Sequence, residues 1–431
     1  MSVLDRIVDQ LYSCNKCGFC QATCPSYQES KSEFMNARGR LRLILAVAEG
    51  ELQATHEFVE MINTCLQCRA CGAACPSGVG PDRLILAARE YLARTKGLPF
   101  VKKMAVSRVL PSCTLMGLSV GAFRWAKTFF LRPGNPLSKV RGVDLSRIPV
   151  ASRPFNKRVP EVNPGAEGGK NGRVAFFHGC FVNHFQPEIG EATVRVLQSL
   201  GYDVIVPKNQ HCCGLPSMSY GEAEAARSLV RHNLELFKEL DVSAVVTSCA
   251  TCGSGLKHDY TYLLQEDEEY LPAAEKFSAQ VFDISEFLFR RIEDLSEIVG
   301  SLEATVTYHD PCHLLRSQAI SEEPRKLLEA VPGLEFREMR EADHCCGAAG
   351  IFQIFYPEIS KPLTERKVSN IIKTGAETVA SGCPGCMVRI NNGLSLQGAE
   401  VEVVHPVQLL DRALARATAY LPDRLTGKRL A

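Results

Sequence analysis

Eighteen of the nineteen cysteines in this 431-residue chain fall into four ordered groups, and no other feature constrains the fold as tightly. Two of the groups contain "HCCGLPS" at 211–217 and "HCCGAAG" at 344–350, in which adjacent thiols follow a histidine and precede a glycine. Neighbouring thiols bridge each other only with strain, so a doubled pair asks for a chemical reason. Regularly spaced cysteines mean disulfides in an oxidising compartment and metal in a reducing one. The opening "MSVLDRIVDQLYS" puts acids where a secretory signal carries basic residues, and no apolar run follows. The expectation is a cytoplasmic chain whose thiols hold metal.

Residues 14–25 read "CNKCGFCQATCP" and residues 65–76 read "CLQCRACGAACP". Both are C-x2-C-x2-C-x3-C-P, the bacterial ferredoxin spacing for a 4Fe–4S cluster. Three close cysteines wrap one face of a cubane, and the proline after the fourth sends the chain away. In two-cluster ferredoxins the fourth cysteine ligates the other cluster. That rule groups Cys14, Cys17, Cys20 and Cys75 on one 4Fe–4S cluster, and Cys24, Cys65, Cys68 and Cys71 on the other. Zinc is the rival, but it needs four ligands and gives no reason for eight in this doubled order. Between the loops, "NARGRLRLILAVAEGEL" has Leu41, Ile44, Leu45 and Ala48 at helical spacing. Arg38, Arg40 and Arg42 on it are candidates to face a flavoprotein, the clusters or water.

The middle of the chain is less telling. From Pro81 to about Leu131 the chain reads as apolar helix, with Cys113 taken as a small buried hydrophobe. The stretch Thr114–Leu131 is broken by Gly117, Gly121, Arg124 and Lys127, too early to span a bilayer but suited to lie on a partner or a membrane surface. Residues 145–173, rich in Pro, Gly and Asn, read as a linker. Charge is balanced, with 49 Lys and Arg against 48 Asp and Glu, so no nucleic-acid partner is expected.

The remainder is a repeat. Strand, helix and strand lead into "HCCGLPS", then helix and strand lead into "SCATCG", and the same order runs again to "SGCPGC". Cys180, Cys213 and Cys249 match Cys312, Cys346 and Cys383 at offsets of 132, 133 and 134 positions. Such register marks two homologous α/β lobes with parallel sheets. Each five-cysteine set falls after a strand, at the edge where open α/β sheets place their sites.

This arrangement resembles the tandem CCG cysteine-rich domains of the glycolate oxidase iron–sulfur subunit family. Catalytic subunits of heterodisulfide reductase and one of the subunits of anaerobic glycerol-3-phosphate dehydrogenase carry the same type of domain. The resemblance covers residues 5–95 and 172–410. It implies a fold of α+β and α/β parts: a helical ferredoxin-like domain with two 4Fe–4S clusters (1–95), a helical segment and linker (96–171), two CCG lobes (172–300 and 301–415) and a tail (416–431). It also implies that Cys180, Cys212, Cys213, Cys249 and Cys252 form one metal site, and Cys312, Cys345, Cys346, Cys383 and Cys386 a second. A noncubane 4Fe–4S cluster, a cubane or zinc remain open for each. Gly214 and Gly347 are expected to let backbone approach inorganic sulfur. His211 and His344 are candidate donors to cluster sulfur, which would raise the potential, with satisfied strand-end residues the equal alternative. His178, His309 and His313 flank the first cysteines.

The chain has no G-x-G-x-x-G between strand and helix, so neither FAD nor NAD is expected on it. The implied function is the electron-transfer subunit of a flavin-dependent oxidoreductase. A partner FAD subunit would oxidise glycolate or D-lactate, with a quinone or other carrier as acceptor. Membrane contact would be peripheral, on the inner face of the cell membrane. The alternative is a heterodisulfide-reductase-like chain that reduces a disulfide at noncubane CCG clusters.

Overall fold

The computed structural model describes residues 2–132 and 135–420. Helices Ala37–Ala48, His56–Asn63 and Pro81–Thr95 form the N-terminal unit around Leu41, Ile44, Phe58, Ile62, Leu84 and Ile85. Asn36 caps the first of these by accepting the Gly39 N–H at 2.8 Å, and Pro81 opens the third, where its missing N–H costs nothing. The two cysteine loops are thereby held on a rigid helical frame.

The strands are β1 (Lys139–Val140), β2 (Val143–Asp144), β3 (Val162–Asn163), β4 (Arg173–Phe176), β5 (Asp203–Ile205), β6 (Ala244–Thr247), β7 (Val281–Asp283), β8 (Ala304–Tyr308), β9 (Leu334–Phe336), β10 (Thr378–Ala380) and β11 (Glu402–Val404). β1 and β2 make a small hairpin. The first lobe is ordered β3-β5-β4-β6-β7, parallel except for the edge strand β3; the second is β9-β8-β10-β11, parallel throughout. Without β3 both lobes run second–first–third–fourth, so the repeat in the sequence is a repeat in topology. The central strands β4, β6 and β10 are short and apolar because helices cover both faces.

The lobes are not independent. Helix Pro187–Ser199 packs on helix Pro406–Tyr420, Arg195 pairs with Asp411 at 2.6 Å, and one core runs from Val174 and Leu197 through Leu288 to Val306 and Leu410. The structure departs from the sequence reading at three places. Within the expected linker, Phe155 is fully buried, its ring seated where Gly190 leaves room (a Cβ there would lie 2.6 Å away), and β3 joins the first sheet. Cys113 is exposed, because helix Cys113–Phe129 buries no residue. Residues 416–420 continue the last helix, and 421–431 of the expected tail lie outside the described residues. Among the described residues no helix is long and apolar enough to cross a membrane.

Candidate metal centres

The doubled ferredoxin-type motif is also doubled in backbone. Lys16 and Gln67, then Gly18 and Arg69, hold the same positions in the two loops, and all four have positive φ. These left-handed turns make each chain double back so that three thiols converge; the Gln67 N–H points at Cys65 Sγ at 3.5 Å. Cys14, Cys17, Cys20 and Cys75 line one cavity with about 360 Å³ of empty space, and Cys24, Cys65, Cys68 and Cys71 line another with about 350 Å³. Each cavity thus takes three cysteines from one motif and the last from the other. Burial raises the thiols of Cys20 and Cys71, and pushes Cys68 up to about 12, so bare thiolates are disfavoured here unless a cation compensates them.

The three arginines of the insert part company. Arg38 donates to the Lys16 carbonyl at 3.1 Å and borders the first cavity. Arg40, fully buried, donates to Met61 O, Ser26 Oγ and Thr64 Oγ1 at the second. Arg42 is exposed and faces Glu51.

In the lobes, each set of five converges at the carboxyl ends of the strands. Cys180 Sγ lies 3.8 Å from Cys212 Sγ, and Cys213 and Cys252 are within hydrogen-bonding reach of each other. The second lobe repeats this with Cys312 on Cys345 and Cys346 on Cys386. Hydrogen bonds from Cys180 and Cys213 hold the Cys212 thiol well below its usual pKa, and Cys312 and Cys346 do the same to Cys345. Each lobe therefore crowds its thiols around a thiolate-prone sulfur, a donor set that suits a metal group and releases protons when one binds. Gly214 and Gly347 both have positive φ, and their missing Cβ atoms face helix backbone, Ala226 O at 3.3 Å and Ser360 O at 2.6 Å. They let helices approach the loop. The glycine that makes room for a site sulfur is Gly179, where a Cβ would meet Cys252 Sγ at 2.8 Å. Its counterpart in the second lobe is Pro311, so no shared motif flagged it.

The four sets are drawn together by contacts that do not follow the sequence. Cys68 and Cys345 share an apolar cluster with Leu66 and Phe352, and Cys312 packs against it. Arg316 donates to the Cys68 carbonyl at 3.5 Å. His313 Nε2 meets the Gln67 carbonyl at 3.0 Å, and its Nδ1 lies 3.4 Å from Thr251 Oγ1, which is 3.5 Å from Cys383 Sγ. Cys249 and Cys383, equivalent in the repeat, meet across the lobe interface beside an Ala250 N–H bonded to the Gly382 carbonyl at 3.0 Å. The second lobe's site therefore touches both the N-terminal unit and the first lobe's site.

The N-terminal unit also meets the first lobe directly, with Leu86 in one core cluster with Cys212, Cys213, Cys249 and Cys252. Arg69 donates to both oxygens of buried Asp259 at 2.7 Å. Arg89 joins the carbonyls of Ile62, Asn63 and Cys65 to Ser219 of the first lobe. Burial lowers the pKa of Arg89, and four carbonyls accept from its Nη1 and Nη2 while Nε stays without a partner.

His211 stacks on His232 with ring centroids 3.7 Å apart, and its own N–H donates to Asn233. His344 is half-buried with Nε2 unpartnered. His178 lies edge-on to Phe155, with Nδ1 by the Gly179 carbonyl. Around the second set sit the cations Arg316, Lys367 and Arg389, where the first lobe places Asn233 and Tyr260.

Family models match along the chain in the order of the structure. A 4Fe–4S dicluster domain matches residues 10–79, and a cysteine-rich domain matches twice, at 174–257 and 306–391. A probable glycolate oxidase iron–sulfur subunit of Bacillus subtilis is 32% identical over 428 residues, covering 95% of both chains. Lactate utilization protein A of an Exiguobacterium species is 31% identical over 244 residues, 57% of this chain and 99% of that one. A subunit of the fumarate reductase (CoM/CoB) of Methanothermobacter marburgensis is 38% identical over 252 residues, 58% of this chain and 47% of that one.

Proposed function

Because this chain belongs to the glycolate oxidase iron–sulfur subunit family, we propose that it is the electron-transfer subunit of a flavin-dependent 2-hydroxyacid dehydrogenase, with glycolate or D-lactate oxidised on a separate FAD subunit and a quinone or other carrier as acceptor. The observation that carries the reading is the contact of the cysteine sets with one another, Cys68 with Cys345 and Cys249 with Cys383. Bound iron–sulfur clusters supply one-electron carriers, which is what links a two-electron flavin to a distant acceptor.

Cys14, Cys17, Cys20 and Cys75 hold one 4Fe–4S cluster in this reading, and Cys24, Cys65, Cys68 and Cys71 the other. Cys17 is exposed, so the first of these sets is the natural docking point for a flavoprotein. Cys312, Cys345, Cys346, Cys383 and Cys386 hold the third metal group, and Cys180, Cys212, Cys213, Cys249 and Cys252 the fourth, as 4Fe–4S clusters or zinc.

The surface beside the first lobe's cysteine loop favours a peripheral membrane contact from the cytoplasmic side. Helix Cys113–Phe129 starts beside the first lobe's cysteine loop, where Cys113 Sγ lies 3.5 Å from the Gln210 carbonyl. It exposes Leu118, Trp125 and Phe129, with Phe130 just beyond. Between residues 91 and 143 there are ten Lys and Arg and no Asp or Glu, so the charge complements anionic lipid.

The test is anaerobic purification with its gene neighbours, with iron, sulfide and zinc counted and EPR followed during stepwise reduction. Co-purification of an FAD protein and hydroxyacid-dependent dye reduction are expected; neither appearing would sink the proposal. The meeting of Cys249 and Cys383 keeps a second reading in view, disulfide reduction between the lobes. Disulfide-dependent oxidation of reduced viologen by the chain alone would favour it.

A further inference from the structure

The two lobes are alike in their cysteines but not in the residue that follows the first strand of each sheet. His309 follows β8, and its N–H donates to the Ala380 carbonyl at 2.9 Å. Phe177 follows β4, and its N–H donates to the Val246 carbonyl at 2.8 Å. Each stands three residues before the first cysteine of its set. Both side chains are buried, His309 at 1% exposure and Phe177 at 0%. One lobe thus presents an imidazole where the other presents a hydrocarbon ring.

The imidazole is oriented. His309 Nδ1 lies 3.1 Å from the Ala342 carbonyl oxygen, which can only accept, so Nδ1 carries the ring proton. Nε2 then keeps its lone pair, and it has no hydrogen-bond partner. A buried acceptor left unmade is costly. A ring nitrogen of His309, Cys346 Sγ and Cys386 Sγ lie within 4.8 Å of one another, and no other histidine makes such a group among the described residues; with Nδ1 engaged, Nε2 is the nitrogen left to bind. A backbone carbonyl on one ring nitrogen is the usual support for a metal on the other.

We propose that His309 Nε2 is a nitrogen ligand to the metal group of the second lobe, alongside its cysteines, so that the two repeats hold chemically different sites: mixed nitrogen and sulfur in the second, sulfur alone in the first. The inference rests on the proposed function only in taking the second lobe to be metal-loaded. It applies to iron and zinc alike, since imidazole binds both. Repeats of this kind would then be told apart not by cysteine count but by one position before it, His309 against Phe177.

The test uses the full chain purified anaerobically, with natural-abundance and 15N-labelled histidine. Metal and sulfide are counted, and nitrogen couplings are read by pulsed EPR in the reduced state, or by X-ray absorption at the zinc edge if the count puts zinc in this lobe. The wild type is expected to show one histidine nitrogen bound to metal. His309→Phe, which copies the first lobe, is expected to abolish it and release the second-lobe metal to a chelator roughly tenfold faster or more. His309→Gln, which can keep the bond to Ala342, serves if the phenylalanine variant does not fold, with the same loss expected. An all-sulfur environment in the wild type, or a histidine signal that survives both variants, overturns the assignment. A second lobe with no metal in the wild type defeats the functional reading as well, so the two failures are told apart by the metal count.

Discussion

Two lobes with one topology and the same five cysteines have been given different surroundings. The second is enclosed: it touches the N-terminal unit through Cys68, Leu66 and Gln67, and Arg316, Lys367 and Arg389 surround its sulfurs. Its histidine points inward. The first meets the N-terminal unit through apolar Leu86, with neutral Asn233 and Tyr260 at its cysteines and an exposed apolar helix at its loop. Duplication supplies two five-cysteine sets of one topology; neighbours outside the motif give them different charge, and the potential of a bound cluster follows charge and hydrogen bonding around its sulfurs.

The comparison breaks most sharply at the cysteines. Cys386→Ser and Cys252→Ser are each expected to empty their own lobe and leave the other three sets loaded, by metal count.

The next effect is on stability. Asp283 of the first lobe and His405 of the second occupy equivalent places at the ends of β7 and β11, both fully buried. Burial pushes Asp283 up to about 7 and His405 down to about 4. The folded state therefore holds a proton on Asp283 that the unfolded chain has already lost, so stability falls as pH rises from about 4 to about 7 and then levels. At about 1.4 kcal/mol per pH unit the change amounts to a few kcal/mol. His405 has the opposite sign: it is neutral when folded, so stability is lost as pH drops from about 6.5 towards 4. Over about pH 4 to 6.5 the two slopes offset each other, so Asp283→Asn should leave a denaturant midpoint that rises with pH there, while His405→Phe should leave one that falls.

A smaller effect is expected on potential. Lys367→Met or Arg389→Met removes a buried cation near Cys346 and should shift the second-lobe group negative by roughly 50–100 mV, taking a charge interaction of about 1–2 kcal/mol at an effective dielectric near 20. The first-lobe group should move far less in a redox titration; parallel shifts would mean that the sites are not electrostatically distinct. Smallest of all, Trp125→Ser with Phe129→Ser should weaken sedimentation with anionic vesicles by about tenfold without altering metal content, since both rings are already exposed in the folded chain. The second-lobe variants should bind vesicles as the wild type does.

Much of this was legible in the residues. The loops 14–25 and 65–76 and the offsets of 132 to 134 are patterns of spacing, and spacing survives in one dimension. So does the strand and helix order, the helix expected ahead of "HCCGLPS" being Pro187–Ser199. The histidines were not legible in the same way. His211 and His344 adjoin the cysteine pairs in sequence, yet His211 turns to stack on His232, while His309, three residues from its cysteine, aims at two sulfurs. A strand end alternates the direction of successive side chains, so nearness along the chain says little about aim. Gly179 escaped notice for a related reason: its role is to leave space for a sulfur 73 residues away.

The sequence by itself determined the four cysteine groups and the duplicated α/β topology, because short-range spacing and the register of a repeat are written along the chain. Only the tertiary structure decided which groups are neighbours. The lobe that comes last in the chain touches both other units at its cysteines, since Cys68 packs on Cys345 and Cys383 meets Cys249. Those meetings are set by apolar burial and by carbonyl and arginine contacts between elements far apart in sequence, which no local spacing encodes.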